Sequence, residues 1–251
     1  MTAPAAQAAW KLDNLSMQSM PLLLPVALPI LFWGAYHYHK DRYLPEPPGN
    51  LAACFALGLL AAAMSKALYV ALGPLGLRYD AFELAASNTV GLFAFAMLAI
   101  GPIEELSKLL PFLIVVTRFR HFDEPMDGLI YASFIGLGYA TAENLNYLAY
   151  LTPVEAAARG FAGPVVHILF ASIWAYWISS ALLAKKSIWR PAIIGFGLAA
   201  ALHGVYDFLV LLRPIAALPM AAMLIIAIWI WRLRVLRQLH RDAVARDEAA
   251  S

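Results

Sequence analysis

The chain has 251 residues, of which 62% are hydrophobic and 14% charged, with a mean hydropathy of +0.70. A soluble domain carries about a quarter charged residues, so this composition excludes one and points to an integral membrane protein with a single polytopic domain. The net charge of +2 is small and its basic residues fall between apolar runs, which excludes a nucleic-acid-binding patch, and a lone Cys54 excludes an intrachain disulfide.

Residues 1–19 lack the basic flank and small-residue cleavage site of a secretory signal, so a retained, short N-terminal tail is expected. Seven apolar segments follow, at roughly 20–38, 50–72, 88–117, 127–151, 163–184, 190–212 and 214–236. Each is near the ~20 residues that a spanning helix needs. Lipid leaves open strands unsatisfied, so the fold class is all-α, a polytopic transmembrane helical bundle. Twelve Lys and Arg residues fall on one side of these segments and four on the other, which predicts a cytoplasmic C-terminus and an external N-terminus. The membrane-embedded domain is placed at 20–236, with a basic cytoplasmic tail at 237–251.

In the first segment Pro21, Pro25 and Pro29 recur at one-turn spacing and predict a bent packing helix. The connection His39–Gly49 is charged and proline-rich and reads as a stiff turn. Within the third segment, Ile100-Gly101-Pro102-Ile103-Glu104-Glu105-Leu106-Ser107-Lys108 sets two carboxylates and an ammonium into an apolar run. On a helix Glu104 and Lys108 share a face and Glu105 nearly does, so the lysine can neutralise one carboxylate and leave the other poised to take a proton from water. Asp123, Glu124 and Asp127, just before Gly128, read as caps of the fourth helix.

Glu143 and Asn144 have no such structural reason to stand deep in segment four, with Tyr139 and Tyr147 one turn to either side of Glu143. Ala132, Gly136 and Ala140, and Gly197 and Ala201 on segment six, recur at a spacing that lets helices approach closely. Segment five contributes His167, and segment six His203 and Asp207 one turn apart. At insertion-scale costs Glu104, Glu105, Lys108, Glu143, His167, His203 and Asp207 together approach roughly 20 kcal/mol before pairing, so one shared, water-accessible pocket is expected. The other segments carry far less, chiefly Lys66.

Two chemistries fit these residue types. A glutamate can activate water for attack on a peptide carbonyl while His203 with Asp207, or His167, donates to the oxyanion or the leaving amine. Alternatively His167, His203 and a carboxylate such as Glu143 hold a divalent metal, zinc by ligand type, that acidifies water. Spacing does not choose between them. No His-Glu-x-x-His motif is present, and no serine or cysteine has the setting of a nucleophile.

The ordered set Glu104-Glu105-x-x-Lys108, Phe122-Asp123-Glu124-Pro125-x-Asp127-Gly128, Gly138-Tyr139-Ala140-x-x-Glu143-Asn144, His167 and His203-Gly204-x-Tyr206-Asp207 resembles the PrsW-type intramembrane proteases, relatives of the CAAX- and bacteriocin-processing membrane proteases. The likeness runs from about residue 36 to 212, with Tyr139 where Phe is expected and Ala175 where Gly is expected. It implies a peptidase of the bacterial cytoplasmic membrane whose paired glutamates and later histidines form the active centre. By the same resemblance Glu104, Glu105, Lys108, His167 and His203 are catalytic, supported by Glu143, Asn144, Asp207 and Asp127. The implied substrate is a single-pass membrane protein, such as an anti-sigma factor cut in envelope-stress signalling, with membrane lipid as the other partner. A proton-coupled transporter and a non-catalytic scaffold are the competing readings; the first lacks the inverted repeats expected of it.

Overall fold

The computed structural model describes residues 24–40, 43–148, 151–212 and 217–250, and no strand occurs among them. The expected N-terminal tail, Pro21 and the Asp41-Arg42 pair lie outside the described residues. The helices are α1 (24–40), α2 (Pro48–Ala71), α3 (Ala81–Ser87), α4 (Thr89–Phe95), α5 (Gly101–Ile114), α6 (Pro125–Tyr147), α7 (Pro153–Leu183), α8 (Trp189–Leu211) and α9 (Ala217–Ala250). Short 3₁₀ turns follow α2 and α5, and a π-helical turn, Ala96–Ile100, joins α4 to α5.

Local chemistry sets several of these boundaries. The Asp127 carboxylate, at the third residue of α6, accepts the backbone N–H of Asp123 at 2.8 Å and of Glu124 at 2.6 Å, so Glu124 and Asp127 form a capping box, with Asp123 taking part through its backbone N–H. Thr152 and Glu155 exchange a reciprocal capping box at the start of α7, which begins ten residues earlier than segment five. Asp80 and Asn88 cap α3 and α4, which makes α3 a short helix absent from the sequence expectation. Pro102 sits inside a helix that runs on from α4 through the π turn into α5, and that π turn accommodates the missing N–H and the ring's conflict with the preceding turn.

Five stretches are long and apolar enough to cross a membrane: Pro48–Leu75, Thr89–Arg118, Pro153–Leu183, Trp189–Leu211 and Ala217–Ala245. Helix α6 is not among them because it carries too many polar groups. It does not need to be apolar, since residues 126–141 are buried throughout except Phe134, with α2 and α7 packed along it.

Between helices in lipid, close backbone contact replaces the hydrophobic drive that operates in water. Two such contacts position the site. A Cβ at Gly204 on α8 would stand 2.6 Å from the Ala96 carbonyl oxygen, and one at Gly101 would run into the carbonyl of Ala200, so α8 lies directly on the π turn and the start of α5. A Cβ at Gly136 on α6 would meet the backbone of His167 on α7 at 3.0 Å. The expected Gly136 face therefore packs as read. The Gly197–Ala201 face does not, since Gly197 is exposed with no neighbour within 4 Å of its Cβ; on α8 the buried small face is Gly195, Ala199, Ala200 and Gly204.

Candidate active site

Helix α5 delivers Glu104, Glu105 and Lys108, all buried, into the space between α6, α7 and α8. Glu105 is fully engaged. Its Oε1 accepts from Lys108 Nζ at 2.5 Å and from His203 Nδ1 at 2.7 Å, while its Oε2 accepts the Trp174 indole N–H at 2.9 Å. Breaking such a buried pair costs about 3–5 kcal/mol, because it strands a charge away from water. Glu104 is held loosely by comparison. Tyr69 donates to its Oε1 at 3.3 Å, and its Oε2 lies 3.6 Å from His203 Nε2, beyond hydrogen-bond range.

The second imidazole belongs to His167 on α7. Lys108 Nζ lies 3.3 Å from its Nδ1, and an ammonium only donates, so Nδ1 accepts and Nε2–H donates to Glu143 at 2.7 Å. Arg159 closes the outer end of this chain, 2.9 Å from the other Glu143 oxygen and 3.8 Å over the Tyr147 ring. Tyr139 lies beneath Lys108 and against His167, and gives its hydroxyl proton to Ser65 on α2 at 2.9 Å. The two histidine rings approach to 5.3 Å, with Phe170 stacked on His203.

The tautomers leave one position chemically open. With Nδ1–H committed to Glu105, His203 turns Nε2 toward Glu104 Oε2 and Asp207 Oδ2, each at 3.6 Å, and the Asp207 oxygen is buried with no hydrogen-bond partner. A nitrogen lone pair flanked by two carboxylates calls for a proton, a water or a cation among them. One donor atom each from Glu104, His167 and His203 lies within 4.8 Å of the others. Two imidazoles and a carboxylate are the donor set of catalytic zinc sites, and the Glu105 bond that orients His203 is the outer-shell support such ligands use. This set has Glu104 in the place foreseen for Glu143, which stands behind His167 instead.

The structure thus brings Glu104, Glu105, Lys108, Glu143, His167, His203 and Asp207 into one cluster. Asn144 adjoins it, buried, with its Oδ1 unpartnered and Gly163 beside it. Asp127 is about 24 Å away along α6, at 1.5 Å per residue, where its work is capping. Lys66 is exposed and takes no part. Sequence reasoning missed Trp174, Tyr69 and Arg159. Trp174 was findable, since it stands seven residues after His167 and so on the same face of one helix. Tyr69 and Arg159 carried no signal, because nothing local ties them to the glutamates.

A sequence profile described as PrsW family intramembrane metalloprotease matches residues 46–232. The chain is 30% identical over 209 residues to Protease PrsW of Geobacillus kaustophilus, covering 81% of this chain and 85% of that protein. It is 28% identical over 216 residues to Protease PrsW of Clostridioides difficile, covering 84% and 87%, and 29% identical over 177 residues to Protease PrsW of Bacillus subtilis, covering 70% and 76%. No solved structure matches the chain significantly. Apolar helices of spanning length, a buried carboxylate–histidine cluster between them and these relatives lead to one assignment: the protein is an integral membrane protease and belongs to the PrsW family of intramembrane metalloproteases.

Proposed function

We propose that this protease is an endopeptidase that hydrolyses a peptide bond of a single-pass membrane protein, with Glu104 as the base that activates water. The observation that carries the reading is the contrast within the glutamate pair: Glu105 has its oxygens committed to Lys108, His203 and Trp174, whereas Glu104 keeps lone pairs facing the space beside His203 Nε2. In that space Glu104 would take a proton from water as its oxygen attacks the scissile carbonyl. With a proton also on Nε2, as its two flanking carboxylates favour, His203 would donate from Nε2 to the developing oxyanion while Nδ1–H stays on Glu105, and the proton taken up by Glu104 would pass to the departing amine. Lys108 and Glu105 act as a fixed pair that orients both histidines, and Asp207 and Glu143 support His203 and His167.

If a divalent metal is resident, Glu104, His167 and His203 would hold it once His167 gives up its contact to Lys108 or Glu143 to free a ring nitrogen, and it would supply Lewis-acid polarisation and an acidified water. Four carboxylates of the cluster, Glu104, Glu105, Glu143 and Asp207, stand against two fixed cations, Lys108 and Arg159, which leaves room for such a charge or for protons.

The membrane reading extends this proposal. Helices α1 and α6 complete seven spans with the five already named, the N-terminus lies outside, and the Arg-rich end of α9 lies in the cytoplasm of a bacterium. The peptidase domain covers 20–236 and residues 237–251 form a basic tail. An anti-sigma factor anchored by one helix is a substrate of the right class.

The test is reconstituted cleavage of a panel of single-pass membrane proteins by wild type, Glu104→Gln and Glu105→Gln, with and without a strong chelator. Loss of cleavage in Glu104→Gln, with the protein still folded, is the expected result, and chelator sensitivity would select the metal route. Equal cleavage by wild type and Glu104→Gln would overturn the assignment and favour a scaffold role for the polar core.

A further inference from the structure

Where α7 turns into α8, the chain gathers cations that the active site does not use. Helix α7 has 31 residues and spans roughly 46 Å at 1.5 Å per residue, longer than the ~30 Å hydrocarbon core. Tyr176 and Trp177 stand about two turns before its end at Leu183, as interfacial aromatics do, and Lys185, Lys186 and Arg190 follow, so this level is the boundary between hydrocarbon and headgroups. The helix closes in a turn in which the Lys186 N–H donates to the Ala181 carbonyl and the Lys185 N–H to that of Leu182, each at 2.9 Å, with Lys185 at a φ of 55° where glycine is the ordinary residue. Helix α8 then starts at Trp189 with no side-chain cap on its first N–H groups.

Between these two helix ends lies an open groove of about 450 Å³. Its walls include Tyr176, Trp177 and Ile194, and its polar groups include Ser180, Lys186 and Arg190. A water takes about 30 Å³, so the groove has room for a phosphodiester and its glycerol. No carboxylate lines it, and no Asp or Glu occurs anywhere in the chain between Glu155 and Asp207. Lys186 and Arg190 are exposed and make no ion pair or side-chain hydrogen bond among the described residues. The groove thus offers two free cations and an uncapped helix start at headgroup depth, with an aromatic and aliphatic wall running toward the hydrocarbon.

We infer that this groove binds one anionic phospholipid, whose phosphodiester pairs with Lys186 and Arg190 while Trp177 and Ile194 take the glycerol and upper acyl carbons. Basic pockets between spanning helices suit such headgroups, and the forked guanidinium of Arg190 can meet two phosphate oxygens at once. Charge selects the occupant: a headgroup of net negative charge is neutralised here, whereas choline would bring a third cation to a site with no acid. A lipid is favoured over a free anion because the deeper wall is apolar and belongs to helices of spanning length.

The test uses full-length protein, delipidated in detergent, with thermal unfolding and native mass spectrometry followed as dioleoylphosphatidylglycerol, dioleoylphosphatidylcholine or inorganic phosphate is added. Phosphatidylglycerol should raise the unfolding temperature saturably, by roughly 5–10 °C at a hundredfold excess over its dissociation constant, and one molecule should stay bound in the mass spectrum. Phosphatidylcholine should raise it less, and inorganic phosphate should have no effect. The double variant Lys186→Gln, Arg190→Gln, which changes exposed side chains and so should fold, is expected to weaken phosphatidylglycerol binding roughly 10–30-fold. Ser180→Trp, which fills the groove and leaves both cations in place, should weaken it too. Arg234→Gln, Arg237→Gln, which removes two exposed arginines of α9 outside the groove, should leave it unchanged. Equal responses to the two lipids, unchanged affinity in either groove variant, a loss in the α9 variant, or full stabilisation by inorganic phosphate would each overturn the assignment.

Discussion

The two buried polar clusters of this protein are out of balance in opposite senses. Around Glu105 every charged atom has a partner at hydrogen-bond distance, and the surplus is negative, gathered at Glu104 and Asp207 beside His203 Nε2. Around Arg232, buried on α9, the surplus is positive, and the partners are Ser172 on α7, Ser133 on α6 and the His37 imidazole on α1. Neither surplus is offset by a counter-charge within its own cluster. The first is suited to a proton, a water or a metal cation, whereas the second ties four helices together through neutral partners. A buried charge in a membrane protein thus marks a reactive position where its neighbours carry charge to spare, and a structural tie where neutral groups enclose it.

The comparison can be broken most decisively at Glu104. Glu104→Gln should lower cleavage about 10²–10⁴-fold, the range for a general base, while leaving the unfolding midpoint nearly unchanged because its contacts are long. Glu105→Gln should behave differently, losing about 3–5 kcal/mol of stability as Lys108 is left unpaired, which chemical unfolding in detergent would measure. If the two variants were equally stable, the division of labour between the glutamates would be wrong. Trp174→Phe and Ser172→Ala sharpen the contrast one hydrogen bond at a time. Each removes a partner from a buried charge and should cost about 1.5–3 kcal/mol, but only Trp174→Phe should also slow cleavage. At the small end, Lys66→Met removes the remaining lysine of the apolar segments, which is exposed and outside both clusters, and should shift stability within about 0.5 kcal/mol.

Much of the candidate site's clustering was legible because charge in an apolar run is conspicuous. Glu104, Glu105, Lys108, Glu143, His167, His203 and Asp207 each violate the composition of their segment, and lipid makes such violations expensive enough to be shared. The caps at Asp127 were legible for a local reason, since the acids adjoin Gly128 and the start of an apolar helix. Arg232 entered the sequence reading only as one of the twelve basic residues on the cytoplasmic side, because position at the end of a span cannot reveal which arginine faces inward. Tyr69 and Arg159 were hidden because tyrosine and arginine at helix ends are ordinary in membrane proteins.

The sequence by itself determined that the chain is an all-helical membrane protein and which side chains must share its interior, because hydropathy and the cost of burying charge are properties of each segment alone. Only the tertiary structure decided which glutamate is neutralised, which histidine nitrogen is free and which arginine is buried. Those outcomes depend on helix phase and on backbone contacts such as Gly204 against Ala96 and Gly136 against His167, and a rotation of one residue about a helix axis would reassign every partner.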